Sequence, residues 1–154
     1  KYGSTLTPYS HFSLRQYIEN STDFYQDRQL RLMIVLRDTG RPVGTIDLYD
    51  FDPFHQRAAV GILLEEESRS QGLGAEALQM MIRYAFRFLH LNQLYAFVPA
   101  SNRRSYHLFL HSGFTESGKL VSWQKTENGF ETVAIMQLVA PPQIINSDKD
   151  SSDN

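Results

Sequence analysis

Residues 58–90 read AAVGILLEEESRSQGLGAEALQMMIRYAFRFLH, and their hydrophobic period changes partway along. Ala58 to Leu64 is a nearly continuous apolar run, which is typical of a strand buried on both faces in the middle of a sheet. From Gly72 to about His90, apolar residues recur at steps of three and four, which predicts an amphipathic helix. The helical stripe consists of Leu78, Met81, Ile82, Ala85, Phe86 and Leu89.

The residues before this segment predict a helix and a hairpin. Ser13 and Gln16 have the spacing of a capping box, which predicts a helix over residues 13–27. Residues 31–36 and 43–48 are apolar, β-branched runs separated by an Asp-Thr-Gly-Arg-Pro sequence with turn chemistry. We therefore expect two antiparallel strands beside the strand at 58–64.

The residues after it predict a strand, a short helix and a second hairpin. Residues 93–98 form a strand-like run, and Asn102 is a suitable N-cap for a short helix to His111. Two further extended runs, 120–125 and 130–138, flank a Glu-Asn-Gly sequence, and Asn-Gly is a strong hairpin signal.

These elements predict one domain of the α/β class, of the α+β type. We expect a mixed, mostly antiparallel central sheet with helices on both faces, formed by residues 1–140. A chain of 154 residues has the ordinary size of one domain. Residues 141–154 begin with two prolines and are rich in Ser, Asp and Asn, so we expect a disordered tail.

Composition and charge argue against several classes of function. The chain has no cysteine, which excludes disulfides, thiolate metal sites and a cysteine nucleophile. The 15 basic and 17 acidic residues give a formal net charge of −2, and no basic run suited to nucleic acid occurs. The five histidines show no pairing at metal-ligand spacing with a third, carboxylate ligand. No stretch approaches the roughly 20 apolar residues of a membrane helix, and the first residues lack a signal-peptide layout. We expect a cytoplasmic protein with no metal and no membrane or nucleic-acid partner.

The loop Arg69-Ser70-Gln71-Gly72-Leu73-Gly74-Ala75 carries the strongest chemical signal. The first backbone N–H groups of a helix have no partner within it, and the helix dipole adds positive character, so a helix start can bind a phosphate. Glycines let a phosphate approach the backbone closely, and Arg69 can donate at the rim. For the glycines taken alone, an ordinary connecting loop explains the sequence equally well.

Gly72, Gly74 and Ala77 also match the G-x-G-x-x-G/A pattern of dinucleotide-binding domains. In those domains the glycines follow the strand directly, and an acidic residue for the ribose stands about 20 residues later. Here residues 65–71 intervene, and the strand at 93–98 contains no acid. These differences count against a dinucleotide site.

The strand, the R-x-x-G-x-G/A loop and the long helix together resemble the acyl-coenzyme A pyrophosphate loop of the GNAT N-acetyltransferases. A second match lies in residues 102–114, which are similar to the family pattern N-x-x-(S/A)-x-x-L-Y-x-x-x-G-F through Asn102, Ser105, Leu108, Phe109, Gly113 and Phe114. Two separated motifs in the right order are more specific than either alone. Residues 43–74 and the hairpin at Asn128 look most like the branch of spermidine and ribosomal-protein N-terminal acetyltransferases.

The resemblance implies acetyl-coenzyme A as co-substrate and assigns its contacts. Backbone groups of Ile62, Leu63 and Leu64 would pair with the pantetheine arm. The pyrophosphate would be held by Arg69, Ser70, Gln71, Gly72, Leu73, Gly74 and Ala75. Asn102, Ser105 and Phe109 would flank the pantetheine end and the thioester, and the acetyl group would lie where strands 58–64 and 93–98 splay apart.

Such a reaction needs a base, because an amine of pKa about 10 is protonated at pH 7 and must lose a proton before it attacks. Asp47 is the candidate base, and a backbone N–H near Leu63 or Leu64 is the expected oxyanion donor. Six carboxylates stand between residues 47 and 67 against the single cation Arg57, and this rim would attract a cationic amine. For each carboxylate taken singly, a solvated loop face is the simpler explanation.

Phe109 departs from the family pattern, which commonly has a tyrosine there that protonates the leaving thiolate. A phenylalanine cannot donate a proton. Tyr106, one turn earlier, is the candidate replacement, and Ser112 is a second. Water is also adequate, because a thiolate of pKa about 8.5 is readily protonated.

The sequence thus predicts an acetyl-coenzyme A dependent N-acetyltransferase that acts on a primary amine, with a polyamine or another small cation as the favoured acceptor. Two alternatives stay open: a protein N-terminal acetyltransferase, and a catalytically weak domain that binds acyl-coenzyme A. The resemblance also implies a strand and a short helix before Lys1. If that piece is absent, the sheet has a bare edge, which would favour a homodimer.

Overall fold

A computed structural model describes residues 12–16, 27–69 and 72–142. These residues form one seven-stranded sheet with two α-helices packed on it. The strands are β1 (Phe12–Gln16), β2 (Leu30–Leu36), β3 (Pro42–Asp52), β4 (Arg57–Leu64), β5 (Gln93–Pro99), β6 (Thr115–Thr126) and β7 (Gly129–Val139). Their order is β1-β2-β3-β4-β5-β7-β6, and only the β4–β5 pair is parallel. The predicted mixed, mostly antiparallel sheet is confirmed.

The start of the described chain corrects one prediction. Residues 12–16 form a strand paired antiparallel with β2, so the helix predicted from Ser13 is wrong over its first residues; residues 17–26 lie outside the described range. Phe12 and Leu14 point to the same face and are buried, and this period of two outweighs the capping-box spacing. The sequence left open whether this edge of the sheet is bare, and in the structure β1 covers the edge of β2.

The two described helices follow the sequence signals closely. Helix α1 (Leu73–Arg83) continues into a π-helical turn (Tyr84–Phe88), which together match the predicted long helix to within two residues. Helix α2 (Arg103–His111) begins after Asn102, whose Oδ1 accepts a hydrogen bond from the Ser105 N–H at 3.1 Å. The helices contact each other and share one core. The expectation of helices on both faces also concerns residues 17–26, outside the described range.

The core lies between the helices and one face of the sheet. Alternate residues of β2 and β3 point into it, and the buried stripe of α1 covers them. Its fully buried members include Ile34, Ile46, Leu48, Ala77, Leu78, Met81, Leu94 and Met136. The face of the sheet turned away from this core carries the alternate residues of the same strands.

The sheet opens between its two central strands. β4 and β5 pair only through residues 57–59 and 93–95. Beyond this point β4 follows β3 as far as Leu64, whereas β5 follows β7 as far as Pro99. The predicted burial of β4 on both faces therefore holds only for Ala58 to Val60, and Leu63, whose side chain points away from the helices, is 67% exposed.

Candidate active site

Helix α1 begins against the open end of β4. Gly72 is its N-cap residue, and its carbonyl accepts a hydrogen bond from the Glu76 N–H at 3.2 Å. The N–H groups of Leu73, Gly74 and Ala75 precede the first intrahelical bond, and no described residue accepts a hydrogen bond from them. Three donors and the positive end of the helix dipole are thus available to an anion, which fits a diphosphate.

The two glycines of this helix start are required for different reasons. Gly72 has φ of +73° with open space around the missing side chain, so its conformation selects glycine. Gly74 is buried, and a Cβ there would stand 3.1 Å from Leu64 Cδ1 and 3.4 Å from Leu108 Cδ2. Gly74 therefore lets the first turn of α1 approach β4 and α2, whereas the sequence suggested that it makes room for a phosphate.

Arg69 connects the loop to the open strand. Its Nε–H donates to the Leu64 carbonyl oxygen at 3.1 Å, and the side chain is otherwise exposed. The remaining guanidinium N–H groups can donate to an anion at the helix start. Ser70 and Gln71, the two other residues predicted in this loop, lie outside the described residues.

The backbone groups of β4 divide between its two sides. The Glu65 N–H donates to the Val43 carbonyl oxygen at 2.9 Å, and backbone groups alternate along a strand. Counting back, Leu63 faces β3, whereas Ile62 and Leu64 face the side from which β5 has separated. Two of the three residues predicted for the pantetheine arm therefore present N–H groups to the gap.

Helix α2 presents the second predicted set of residues. The Asn102 side chain is engaged in capping the helix, and Ser105 supplies the N–H that it accepts. Phe109 is only 3% exposed and packs edge-on against Phe114 with ring centroids 5.0 Å apart. Tyr106 is half-buried one turn earlier on the helix, with its ring edge-on to His107.

Asp47 projects from the sheet face turned away from the helices. Arg31, directly opposite on β2, binds both of its oxygens, through Nε at 3.0 Å and Nη2 at 2.9 Å. The hydrogen bond to Asp47 and its charge raise the pKa of Arg31 above its ordinary value. The ion pair explains how an ionisable group is accommodated within a strand, and both side chains stay in contact with water.

The other acids of the predicted rim differ in their partners and in their exposure. Asp52 Oδ1 accepts hydrogen bonds from the backbone N–H groups of Phe54 and His55, and the His55 bond is the largest cause that lowers the pKa of Asp52. Glu65 pairs with Arg41 at 3.0 Å and accepts a hydrogen bond from the Ser68 hydroxyl. The exposed members of the rim are Asp50, Glu66 and Glu67.

Two tyrosines stand on the same face as Asp47, and the sequence assigned neither of them a catalytic or binding role. Tyr49 pairs with Ala59 across β3 and β4, and Ala59 pairs with Tyr95 across β4 and β5. Burial is the main cause that raises the pKa of both hydroxyls, and the charge of Asp50 raises both further. Their positions could have been found from strand alternation, since both alternate with buried apolar residues.

One cavity of the described residues lies away from this helix start. A cavity of about 330 Å³ lies at the far end of the helical segment, between Ile82, Arg83 and the chain at Pro141. The described residues contain no cluster of three or more His, Asp or Glu side chains that could hold a metal ion. No helix among them is long and apolar enough to cross a membrane.

The splayed sheet, with an unpaired helix start at its open end, defines a protein of the acyl-coenzyme A N-acyltransferase fold. The chain belongs to the acetyltransferase (GNAT) domain family, whose model matches residues 1–115. One relative is the spermidine N(1)-acetyltransferase of Escherichia coli K12, 30% identical over 95 residues, which are 62% of this chain. Those residues cover 50% of the relative, so the chain spans about half the length of this curated protein.

Solved structures support the fold. A chimera of the spermidine N-acetyltransferase from Vibrio cholerae superposes with a TM-score of 0.74 at 19% identity, covering 84% of this chain and 96% of that one. The V. cholerae enzyme in complex with CoA and spermine superposes with a TM-score of 0.70 at 22% identity, covering 75% and 68%. The predicted GNAT-like fold is thereby confirmed.

Proposed function

We propose that this chain transfers an acetyl group from acetyl-coenzyme A to a primary amine, and that the amine is a small cation such as a polyamine. One observation carries the proposal: the unpaired amides of α1 lie against the end of β4, beside the gap that separates β4 from β5. A diphosphate held at the helix start would place an attached thioester arm along the open side of β4. Family membership supports the same chemistry.

The diphosphate would be held mainly by backbone. The N–H groups of Leu73, Gly74 and Ala75 point out of the helix start, and Arg69 stands at the rim. Ser70 and Gln71 belong to the same loop and stay in the proposed set. Backbone donors suit this task because their positions are set by the helix and cost no side-chain entropy on binding.

The thioester arm would pair with the open side of β4. The N–H groups of Ile62 and Leu64 face the gap, so these two, in preference to Leu63, are our proposed donors to the arm and to the oxyanion. Asn102 and Ser105 would border the arm from α2. The buried ring of Phe109 contributes packing there and no proton.

Proton transfers are the least specialised part of the proposed mechanism. Asp47 remains our proposed base, acting through water, because its side chain is in contact with water although Arg31 binds both of its oxygens. Tyr106 is the proposed donor to the thiolate, and solvent can replace it.

A cationic acceptor is favoured by the charge of the sheet face and by the relatives. Asp47 and Asp50 lie beside aromatic rings there, which suits an ammonium carried on methylene groups. The E. coli relative is a spermidine acetyltransferase, and the V. cholerae structure contains CoA and spermine. Both observations favour a polyamine over a protein N-terminus.

The test combines CoA binding with turnover. Calorimetry should show heat on titration with CoA, and thiol release from acetyl-coenzyme A should require an amine from a panel of polyamines, monoamines and peptides. The Gly72→Trp variant should lose the CoA heat because the indole would cover the helix start. Gly40→Trp is the matched control, since Gly40 has a similar φ of +72° and open space around it but lies in the β2–β3 turn.

Each outcome separates the alternatives. Absence of CoA heat with the wild-type chain would overturn the proposal. Binding without turnover by any amine would leave the acyl-coenzyme A binding domain, and turnover of peptides alone would establish the N-terminal acetyltransferase.

We also propose that the chain self-associates, as a homodimer, along β6. β6 is an edge of the described sheet, and Val121 and Trp123 on it are 77% and 64% exposed. An edge strand with exposed apolar side chains is a ready surface for pairing with another copy. A cytoplasmic location remains our expectation from the sequence.

A further inference from the structure

Tyr49, Ala59 and Tyr95 form one row across β3, β4 and β5. Ala58 and Val60 point into the core under the helices, so Ala59 points to the opposite face, and its two neighbours in the row point with it. Ala59 has no exposed surface, although no helix among the described residues covers this face. Tyr49 and Tyr95 flank it on the two neighbouring strands.

The row lies at the base of the gap. Ala59 and Tyr95 are the last paired residues before β4 and β5 separate. Gly61 comes next on this face, and a Cβ there would meet only the Tyr49 ring, at 3.6 Å from Cε1. On the other side, the Tyr95 ring meets the edge of Phe97 with centroids 5.6 Å apart. On this face, the gap is therefore bordered by the rings of Tyr49, Tyr95 and Phe97 and by Gly61, which has no side chain.

Asp50 adds a charge to this aromatic site. A β-bulge interrupts the β3–β4 pairing after Tyr49, and Asp50 has φ of +50°, a conformation that Asp and Asn tolerate better than other side chains. Asp50 directly follows Tyr49 of the row and is exposed, and its negative charge raises the pKa of both Tyr49 and Tyr95. No described residue pairs with it by a hydrogen bond or salt bridge, whereas Arg31 binds Asp47.

Arg28 and Arg57 are two described cations that could compete for this carboxylate. The Arg28 Nη1 donates to the Phe51 carbonyl oxygen at 3.5 Å. Arg57 lies two residues before Ala59 on β4, so its side chain points to the same face, and it stands 3.9 Å from Asp52. Among the described residues, Asp50 is therefore the carboxylate of this face without a hydrogen bond or salt bridge to a cation.

We propose that Asp50, Tyr49 and Tyr95 bind the second, non-reacting ammonium group of a diamine acceptor while the first amine enters the gap. This inference rests on the proposed acetyl transfer and deepens it. The row at Ala59 and the open position of Gly61 are two residues apart along β4, which corresponds to about 7 Å. An acceptor whose two nitrogens are linked by an extended butyl chain approaches this distance.

The recognition chemistry is that of a cation between π faces and a carboxylate. An ammonium over a tyrosine ring is attracted by about 0.5–2 kcal/mol, more as it loses water. Asp50 supplies the opposite charge, and the rings supply apolar contact for the methylene chain. A monoamine of the same length would gain the apolar contact only.

The experiment compares diaminobutane with butylamine as acceptors in a thiol-release assay. The wild-type chain should have at least about a tenfold higher kcat/KM for diaminobutane, the ratio that corresponds to 1.4 kcal/mol. Asp50→Asn should reduce kcat/KM for the diamine about tenfold through KM and leave butylamine unchanged. Asn keeps the φ of this position accessible. Asp38→Asn, an exposed acid in the β2–β3 turn, is the matched control and should change neither acceptor.

A second pair of variants tests the rings. Tyr95→Phe should retain the preference for the diamine, and Tyr95→Leu should lose most of it at an unchanged KM for acetyl-coenzyme A. If the wild-type chain acetylates both acceptors equally, or if Asp50→Asn affects both alike, the inference is wrong while acetyl transfer stands. If no amine is acetylated although CoA binds, the proposed function and the inference fail together.

Discussion

Gly72 and Gly74 stand two positions apart in one motif, and the structure requires them for unrelated reasons. Gly72 adopts a left-handed conformation at the N-cap of α1, where the surrounding space is open. Gly74 has ordinary helical geometry, but its missing side chain faces Leu64 and Leu108. At the residue scale, one glycine of the motif is therefore required for its backbone conformation and the other for close packing.

The first prediction follows from the conformation of Gly72. Gly72→Ala should destabilise the chain by about 1–2 kcal/mol, because an L-residue pays this cost in the left-handed region, and Gly72→Asn should cost less. Urea denaturation measures the difference. Gly118→Ala is the control, since Gly118 has open space and no positive φ, and it should be neutral or slightly stabilising. Equal losses at the two positions would contradict the argument.

At the scale of elements, the β3–β4 turn is held by the charge of one side chain. The Asp52 carboxylate accepts two backbone hydrogen bonds, from Phe54 at 3.0 Å and from His55 at 2.9 Å. These bonds favour the ionised form and hold the pKa of Asp52 below its ordinary value of 3.8. The turn that joins the two strands is therefore sensitive to acid.

The second prediction gives the sign of this dependence. A folded-state pKa below the unfolded value means that ionised Asp52 contributes stability above about pH 4, and that this contribution is lost as the pH falls through the folded pKa. Asp52→Asn should therefore lower the urea midpoint at pH 7, and the difference from wild type should shrink toward pH 3. Asp38→Asn serves as the control. A difference that grows on acidification would refute the assignment.

The elements also show where local sequence signals suffice. Asn102 and the run up to His111 predicted α2 correctly, because a cap and a short helix are local features. Ser13 and Gln16 predicted a helix where β1 lies, because β1 depends on hydrogen bonds with Leu32 to Leu36 in a distant part of the chain. A local pattern cannot report such a partner.

At the scale of the whole molecule, the separation of β4 from β5 creates the candidate site. β5 pairs along its full length with β7, whereas β4 pairs only with β3 beyond Ala59. The backbone groups of Ile62 and Leu64 are thereby left for a ligand. Tyr49 and Tyr95 stand beside the same opening, on the sheet face turned away from the helices.

The third prediction concerns the assembly of whole molecules. If β6 mediates self-association, Trp123→Glu should convert a dimer into a monomer, because a buried charge at a sheet edge opposes pairing. Sedimentation velocity should then show a halved mass. Phe54→Glu is the matched control, since Phe54 is an exposed aromatic residue, 85% accessible, in the β3–β4 turn. A wild-type chain that is monomeric at micromolar concentration would rule out the proposed dimer.

Much of the candidate site could be predicted because it depends on backbone at the ends of regular elements. The loop before α1 and the cap of α2 were found from residue types and spacing alone. The side chains on the sheet face away from the helices were not predicted in this way. Asp47 was singled out without its partner Arg31, and Tyr49 and Tyr95 were given no catalytic or binding role. The two tyrosines become neighbours through strand pairing over more than forty positions of sequence, which periodicity does not encode.

The amino-acid sequence by itself determined the order of most elements, the family and the helix start that could hold a diphosphate, because hydrophobic period, caps and turn residues act over a few positions. Tertiary structure alone decided that β1 is a strand, that Gly74 serves packing and that Tyr49 and Tyr95 stand in one row across three strands. These outcomes depend on which distant strands become neighbours. The pairing of distant strands is determined by the free energy of the whole core, which no short segment encodes.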